Sequence, residues 1–484
     1  MFFKQHHYLG KVGNMRDIRA TGGQILFLVL LSMPATAYAG TPVGEAQTQA
    51  RSENGQYISW QEHLIDDVSI TGVAISGSDG LVMGDLDGDG IDDIVSVHES
   101  DTRYDGEPDG HVRIAFGSRS PHQWTNITLA EGSDAAAPED AAIGDLNGDG
   151  YPDVMVASEL AHLIYFQNPG TDIRQSRWPR LILPMTQNRG SYIRVFLADF
   201  NRDGTLEVIA PNKGKQNPLA ADFEVKTSIS VFQILDDPLS ATGWKEIVLG
   251  EYSVPQNAQP IDLDGDGDLD VIGGSRGEAR LIFFENVSDQ EIRFVEHPIR
   301  IDGTTAGGFN LAFADFNRDG RLDIVAATPQ GLAWLQQPTN VDGQWTAHLI
   351  GSFAPDSMTG FTIADINGDG HLDLMAGSYS RGPRASDGAV TVADRLGRIG
   401  WFENPGDATQ VWTRHDISRR KRGMFDKFVA RDLDGDGDVD FIGTRGNSAP
   451  YDGVFWLEQV RTDKPQRVFK RARIQDSEEM PLPD

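Results

Sequence analysis

The sequence reads as an all-β chain: a seven-bladed β-propeller of four-stranded antiparallel blades, with an acidic loop joining the first two strands of each blade. Three features lead there. A nine-residue signature rich in aspartate and glycine occurs seven times, its first aspartates at 85, 145, 199, 262, 315, 365 and 432. Intervals between copies run from 50 to 67 residues, the range in which repeats build propellers or solenoids. Within each interval four short apolar segments return in order with turn residues between them, as a four-stranded blade requires. A solenoid would need atypical capping repeats, and none is evident.

Residues 1–39 have the pattern of a secretory signal. Arg16 and Arg19 supply positive charge, Ile25 to Leu31 an apolar run, and Ala37 and Ala39 a small-residue cleavage site. That run is too short to span a membrane, so a secreted or periplasmic protein is expected. Residues 40–57 are expected to be a linker and 58–474 the propeller. Residues 475–484, acidic and Pro-containing, are expected to be a disordered tail.

Inside a blade, a first strand enters the loop (Leu81 to Gly84, Phe361 to Ala364) and a second leaves it (Asp93 to Ser96, Asp373 to Gly377). The third is aromatic (Leu163 to Phe166, Leu281 to Phe284, Ile399 to Phe402). The fourth starts at Trp124, Trp178, Trp244, Trp345 or Trp412, with Phe294 in that place in blade four. His63, His348 and His415 recur in this strand and are expected to pack or cap there. Repetition at equivalent positions marks the aromatic residues as core. Two segments compete to close the ring, Trp60 to Ile65 and Val468 to Ile474, and the N-terminal one is favoured.

The loops place oxygen side chains at positions 1, 3, 5 and 9 with glycine at 6. These are Asp85, Asp87, Asp89, Asp93; Asp145, Asn147, Asp149, Asp153; Asp199, Asn201, Asp203, Glu207; and Asp262, Asp264, Asp266, Asp270. The remaining copies supply Asp315, Asn317, Asp319, Asp323; Asp365, Asn367, Asp369, Asp373; and Asp432, Asp434, Asp436, Asp440. Hard oxygen donors crowded on a tight turn suit Ca²⁺, which accepts six to eight oxygens in flexible geometry. An EF-hand is excluded, because position 12 of the first copy is Ser96 in a hydrophobic strand rather than a bidentate Glu. With no cysteine in the chain, calcium rather than disulfides is the expected cross-linker.

Net charge is −30, and 24 of the carboxylates occupy these loop positions. Seven Ca²⁺ ions would cancel 14 charges and leave −16, a sign that argues against a nucleic-acid partner.

These loops resemble the FG-GAP/VCBS repeat family, the propeller of integrin α-subunit heads and of many secreted bacterial proteins. The resemblance covers roughly residues 58 to 474. It implies calcium at positions 1, 3, 5 and 9, with the position-7 carbonyl as a further ligand. Glu207 at position 9 and Asn at position 3 in four copies depart from the all-Asp pattern, and weaker binding is expected there. A narrower likeness, carried by Val97 to Arg113, is to secreted sugar-directed propellers, including polysaccharide lyases and the propeller part of fungal aldos-2-ulose dehydratase.

Because the calcium loops share one rim, the variable connections between strands two and three share the opposite one. There a strongly acidic chain gathers basic, His and Tyr residues, a pattern that focuses a field on anionic ligands. Taken with the likeness to sugar-directed propellers, this makes carbohydrate the expected partner. Arg103, Tyr104, Arg189, Lys213, Arg276, Arg381 and Arg445 are candidate substrate-binding residues. His98, His111, His162 and Tyr192 are candidate acid/base residues for β-elimination on an acidic or keto sugar. That reaction needs a neutralised carboxylate, a base for the α-proton and an acid for the leaving oxygen. A carbon–oxygen lyase is one reading, and a non-catalytic glycan- or protein-binding or adhesion propeller is the alternative. The same histidines with Glu99 would also suit a second metal such as Zn²⁺ on this face.

Overall fold

A computed structural model describes residues 40–483 of the chain, save 101–105, 107, 161 and 176. The signal-like segment, Arg103 and Tyr104 lie outside the described residues. Among the described residues seven sheets form seven blades, each built on four antiparallel strands that follow chain order in blades one to six. In blade one these are Ser78–Gly84, Asp93–His98, His111–Phe116 and Thr125–Glu131. Among the described residues no helix is long and apolar enough to cross a membrane.

Sequence periodicity explains the stacking. Blades pack face to face, so a strand between two neighbours needs apolar side chains on both sides. In the second strand of blade one, Ile94 faces the junction with blade seven while Val95 and Val97 face blade two. Seven apolar clusters result, one at each junction around the ring. The recurrent Trp and His residues belong to this packing. His348 stacks on Trp334 at 4.2 Å, His415 on Trp401 at 4.3 Å and His63 on Trp456 at 4.4 Å.

Both candidate closing segments are used. Tyr57–Asp66 is the fourth strand of blade seven, antiparallel to Gly453–Thr462. Phe469–Lys470 adds a fifth, parallel strand beside Trp60 and Gln61, and its Phe469 is buried against the core. This covers an edge that would otherwise offer unpaired backbone groups.

Two expectations are corrected here. The proposed linker is ordered: Val43 N–H donates to Met480 O (3.1 Å), and Thr48 N–H to Gln466 O (2.9 Å). The proposed disordered tail is also packed, with Ser477, Glu479 and Met480 buried and the Asp476 side chain enclosed. Its acidic residues are there because buried arginines need them. Arg420 donates to Glu62 (2.7 Å) and Asp476 (2.9 Å), and Ser418 Oγ to Glu479.

Candidate functional site

The seven loops are tied by their own carboxylates. In the first, Asp85 Oδ1 accepts from the N–H groups of Gly88 (2.7 Å) and Asp89 (3.1 Å), and Oδ2 from Gly90 (2.9 Å). Asp89 Oδ1 accepts from Ile91 N–H (2.9 Å). Position 6 needs glycine, since φ there is 84° at Gly90 and 95° at Gly267.

Position 9 is a buried clasp. Asp93 accepts from Leu86 N–H (2.9 Å) inside the loop and from Gly117 N–H (2.9 Å) beyond the third strand. Asp153, Asp270, Asp323, Asp373 and Asp440 repeat both contacts. Glu207 makes the first, from Phe200 N–H (3.0 Å). The residue after the third strand also reaches the neighbouring blade: Asn168 Nδ2 donates to Leu86 O (3.0 Å) and Asn286 Nδ2 to Phe200 O (2.9 Å). Burial raises the position-9 acids, Asp93 and Asp153 to about 6, Glu207, Asp270, Asp323 and Asp440 to about 7, and Asp373 to about 8.

The loops differ at position 3. In the copies beginning at Asp85, Asp262 and Asp432, three carboxylates bring an oxygen each within 4.8 Å of one another. In the other four, the asparagine donates to the position-5 aspartate at 2.9 to 3.0 Å, from Asn147, Asn201, Asn317 and Asn367. Such donor sets fit Ca²⁺, a charge that relieves crowded carboxylates.

On the opposite rim a cavity of about 580 Å³ opens on the propeller axis. Every blade contributes the residue six places before the first aspartate of its loop: Asp79, Glu139, Ile193, Gln256, Phe309, Thr359 and Asp426. These positions fall at or just before the start of the innermost strand, so a common register brings them to one ring. The acids Asp426, Asp79 and Glu139 come from the consecutive blades seven, one and two. The same lining holds Lys213, Arg276 and Arg381, from the strand-two-to-three connections of blades three, four and six.

Burial pushes the Asp79 carboxyl well above the ordinary range, reinforced by the charges of Glu139, Glu99 and Asp426. Burial likewise lowers Lys213 to about 8, against the pull of Glu139 and Glu99. Lys213 is ion-paired with Glu159. Arg381 lies over the Tyr379 ring at 4.4 Å, and Arg276 over Phe223 at 5.7 Å.

Known proteins share the loop pattern. A profile of FG-GAP-like repeats matches residues 85–156, 145–210, 262–326 and 315–376, each match starting on the first aspartate of a loop. The chain belongs to the FG-GAP-repeat proteins. Over 205 residues it is 28% identical to cartilage acidic protein 1 of Xenopus tropicalis, which covers 40% of this chain and 29% of that protein. The chain thus spans less than a third of that relative's length. Among solved structures, an Agrocybe aegerita lectin, described in its recognition of non-reducing terminal N-acetylglucosamine, has a TM-score of 0.45. Identity there is 14%, over 82% of this chain and 89% of that one. BBS1N in complex with ARL6DN, soaked with mercury, gives 0.44 at 12% identity, over 86% and 100%.

The FG-GAP propeller sorts the predicted rim residues into three groups. Lys213, Arg276 and Arg381 meet at the axial mouth. Arg189 lies outside its lining and pairs with Glu246 at 2.5 Å. The other described ones are corrected in their surroundings, being wholly or partly enclosed in protein. His98 is fully buried, its ring bonded to Ser78 Oγ (2.7 Å) and Ser96 Oγ (3.0 Å), and burial holds it well below the ordinary range. His162 is buried, and Tyr192 lies in the core between blades two and three. His111, half-buried, meets Ser100 Oγ at 3.1 Å. Arg445 is buried against Asp476 (2.6 Å) and the Tyr451 carbonyl, an internal partner set rather than a ligand-facing one. The missed residues, Asp79, Glu139 and Asp426, had a signal in the sequence: an acid at a fixed distance before the loop, where the blade pattern places an inner strand.

Proposed function

We propose that this FG-GAP propeller is an exported, calcium-stabilised recognition module that holds an acidic carbohydrate in its axial mouth. The observation that carries this reading is the lining of that mouth. The lining offers cations for a carboxylate or sulfate, from Arg276 and Arg381. Tyr379 and Phe309 offer aromatic surface for a sugar ring, and Gln216, Asn217 and Gln256 offer amides for hydroxyls. Mostly polar groups converging in one concave site on a rigid scaffold suit a hydroxyl-rich ligand. The loops, on the other rim, fit structural calcium at positions 1, 3, 5 and 9. Bound Ca²⁺ there supplies charge neutralisation and cross-links each loop, leaving the mouth to the ligand. Export rests on the signal-like segment and on the abundance of calcium outside cells.

Lyase chemistry on the same ligand is a second reading, favoured by one observation. Lys213, lowered to about 8 by burial, exchanges a proton near neutral pH within reach of a bound sugar. It replaces His98 and Tyr192 as the base to consider, since both are enclosed in protein. The test is incubation of the calcium-loaded protein with a panel of acidic and neutral polysaccharides, followed by calorimetry and ultraviolet absorbance. Binding of acidic members without new absorbance is the expected result. Rising absorbance would establish elimination, and no binding to any member would overturn the carbohydrate reading.

A further inference from the structure

The acidic wall of the axial mouth has no ordinary explanation as a binding surface for an anionic sugar. Asp79, Glu99 and Glu139 are all buried, and each brings one carboxylate oxygen within 4.8 Å of the others. Asp79 and Glu99 come from blade one and Glu139 from blade two, so the cluster is assembled by the fold and not by one loop.

Two further observations point to a missing positive charge. Asp79 is 6% exposed and its Oδ2 has no hydrogen-bond partner among the described residues. Asp426, 8% exposed on the same cavity wall, has an unpartnered Oδ1 and lies close enough to add its charge to those of Asp79 and Glu139. A buried carboxylate without donors stays ionised only where a cation meets it. Lys213 and Arg194 bear on Glu139 and Arg384 bears on Asp79, but Lys213 donates to Glu159, Arg194 to Asn310 and the Ile193 carbonyl, and Arg384 to the Tyr379 hydroxyl.

We propose that Asp79, Glu99 and Glu139 bind a divalent cation, Ca²⁺, at the axial mouth, on the rim opposite the seven loops. The donor set decides the class of ion. All three ligands are carboxylate oxygens and none is imidazole, since His98 is committed to Ser78 and Ser96. Hard oxygen donors suit Ca²⁺, Mg²⁺ or Mn²⁺ rather than zinc. Calcium is the member of this class that takes oxygens in flexible geometry, whereas Mg²⁺ demands a near-ideal octahedron. Calcium accepts six to eight oxygens, so three carboxylates leave positions for water or for the hydroxyls of a ligand in the cavity. The site stands on its own carboxylates and does not require the carbohydrate reading.

Crystals of the full chain grown in calcium chloride, with data collected where calcium scatters anomalously, test this directly. A peak between Asp79, Glu99 and Glu139, additional to any peaks in the loops, is expected. Its absence at saturating calcium overturns the proposal whether or not the loops are filled. In the Asp79→Asn/Glu139→Gln variant the axial peak should vanish while loop peaks persist, and calorimetric titration should count one site fewer. An axial peak retained in the variant would show that these carboxylates are not the ligands. Should the variant not fold, the map of the unaltered protein decides alone.

Discussion

Arg445 Nη1 donates to Asp476 Oδ2 at 2.6 Å, joining the second strand of blade seven to the C-terminal segment in a fully buried ion pair. Arg420 of blade six shares the same carboxylate at 2.9 Å. Burial alone would push the Asp476 carboxyl up, but the two guanidinium groups outweigh it and hold it below the ordinary range. Its contribution to stability is therefore present at neutral pH and is lost only in strong acid.

Asp476→Ala should accordingly destabilise the propeller by about 3–5 kcal/mol, because it leaves two buried cations short of a partner. Removing the chain after Gln475 should do at least as much, by also stripping Glu479 from Ser418 and Met480 from its pocket. Denaturant unfolding followed by tryptophan fluorescence measures both. Unfolding midpoints equal to that of the unaltered chain would mean that the strand pairing of Tyr57–Asp66 closes the ring unaided.

Calcium removal should destabilise the protein most at alkaline pH. Each loop filled to 100 times its dissociation constant adds about 2.7 kcal/mol. Without the ion, the buried position-9 acids have folded pKa values between about 6 and about 8, above those of the unfolded chain. The folded state then binds more protons across that window, so calcium-free stability falls as pH rises from about 5 to about 8. Thermal melts in EDTA should give a higher Tm at pH 5 than at pH 8, and saturating calcium should help more at pH 8. A Tm in EDTA that climbs over this range, or one indifferent to EDTA, would count against calcium in the loops.

Why did some features show in the sequence and others not? Loops repeat because each blade solves the same local problem, so positions 1, 3, 5 and 9 were legible, and so were the Trp and His residues that recur between blades. The rim histidines misled because neighbouring blades cover both faces of a second strand, so a histidine at its end is enclosed whichever way it points. His98 shares the parity of Ile94 and Ser96 and so turns into the blade junction. Arg445 looked like part of a basic surface because its partner, Asp476, lies well along the chain. The axial ring was present in the sequence as acids six residues before three loops, visible once the inner strand is known to start there.

Loop occupancy should follow charge at position 3. Three carboxylates converge in the copies beginning at Asp85, Asp262 and Asp432, whereas Asn147, Asn201, Asn317 and Asn367 replace one charge. Removing one formal charge from a site weakens attraction for a divalent ion, so the Asn loops should release calcium first on dilution. Changing Asp87→Asn should bring the first loop down to their affinity, by about tenfold, and Asn367→Asp should raise the sixth. Calcium titration by calorimetry reads both, and equal affinities across the variants would remove charge as the cause.

Affinity for an acidic polysaccharide should depend on the basic wall of the mouth. Arg276 and Arg381 are exposed there, each resting on an aromatic ring that holds the guanidinium near the cavity. A hydrogen bond to a charged group contributes about 1.5–3 kcal/mol, so losing one such contact costs at least about tenfold in affinity. Both side chains lie outside the apolar junctions, so Arg276→Ala and Arg381→Ala should leave Tm within a degree or two. Loss of binding with retained Tm, and with a smaller dependence on salt than in the unaltered chain, is the expected pattern. Arg445→Lys gives the contrast, since that arginine is enclosed with Asp476: it should lower stability while sparing affinity per folded molecule. If the two exposed variants bind as tightly as the unaltered protein, the ligand does not use this mouth.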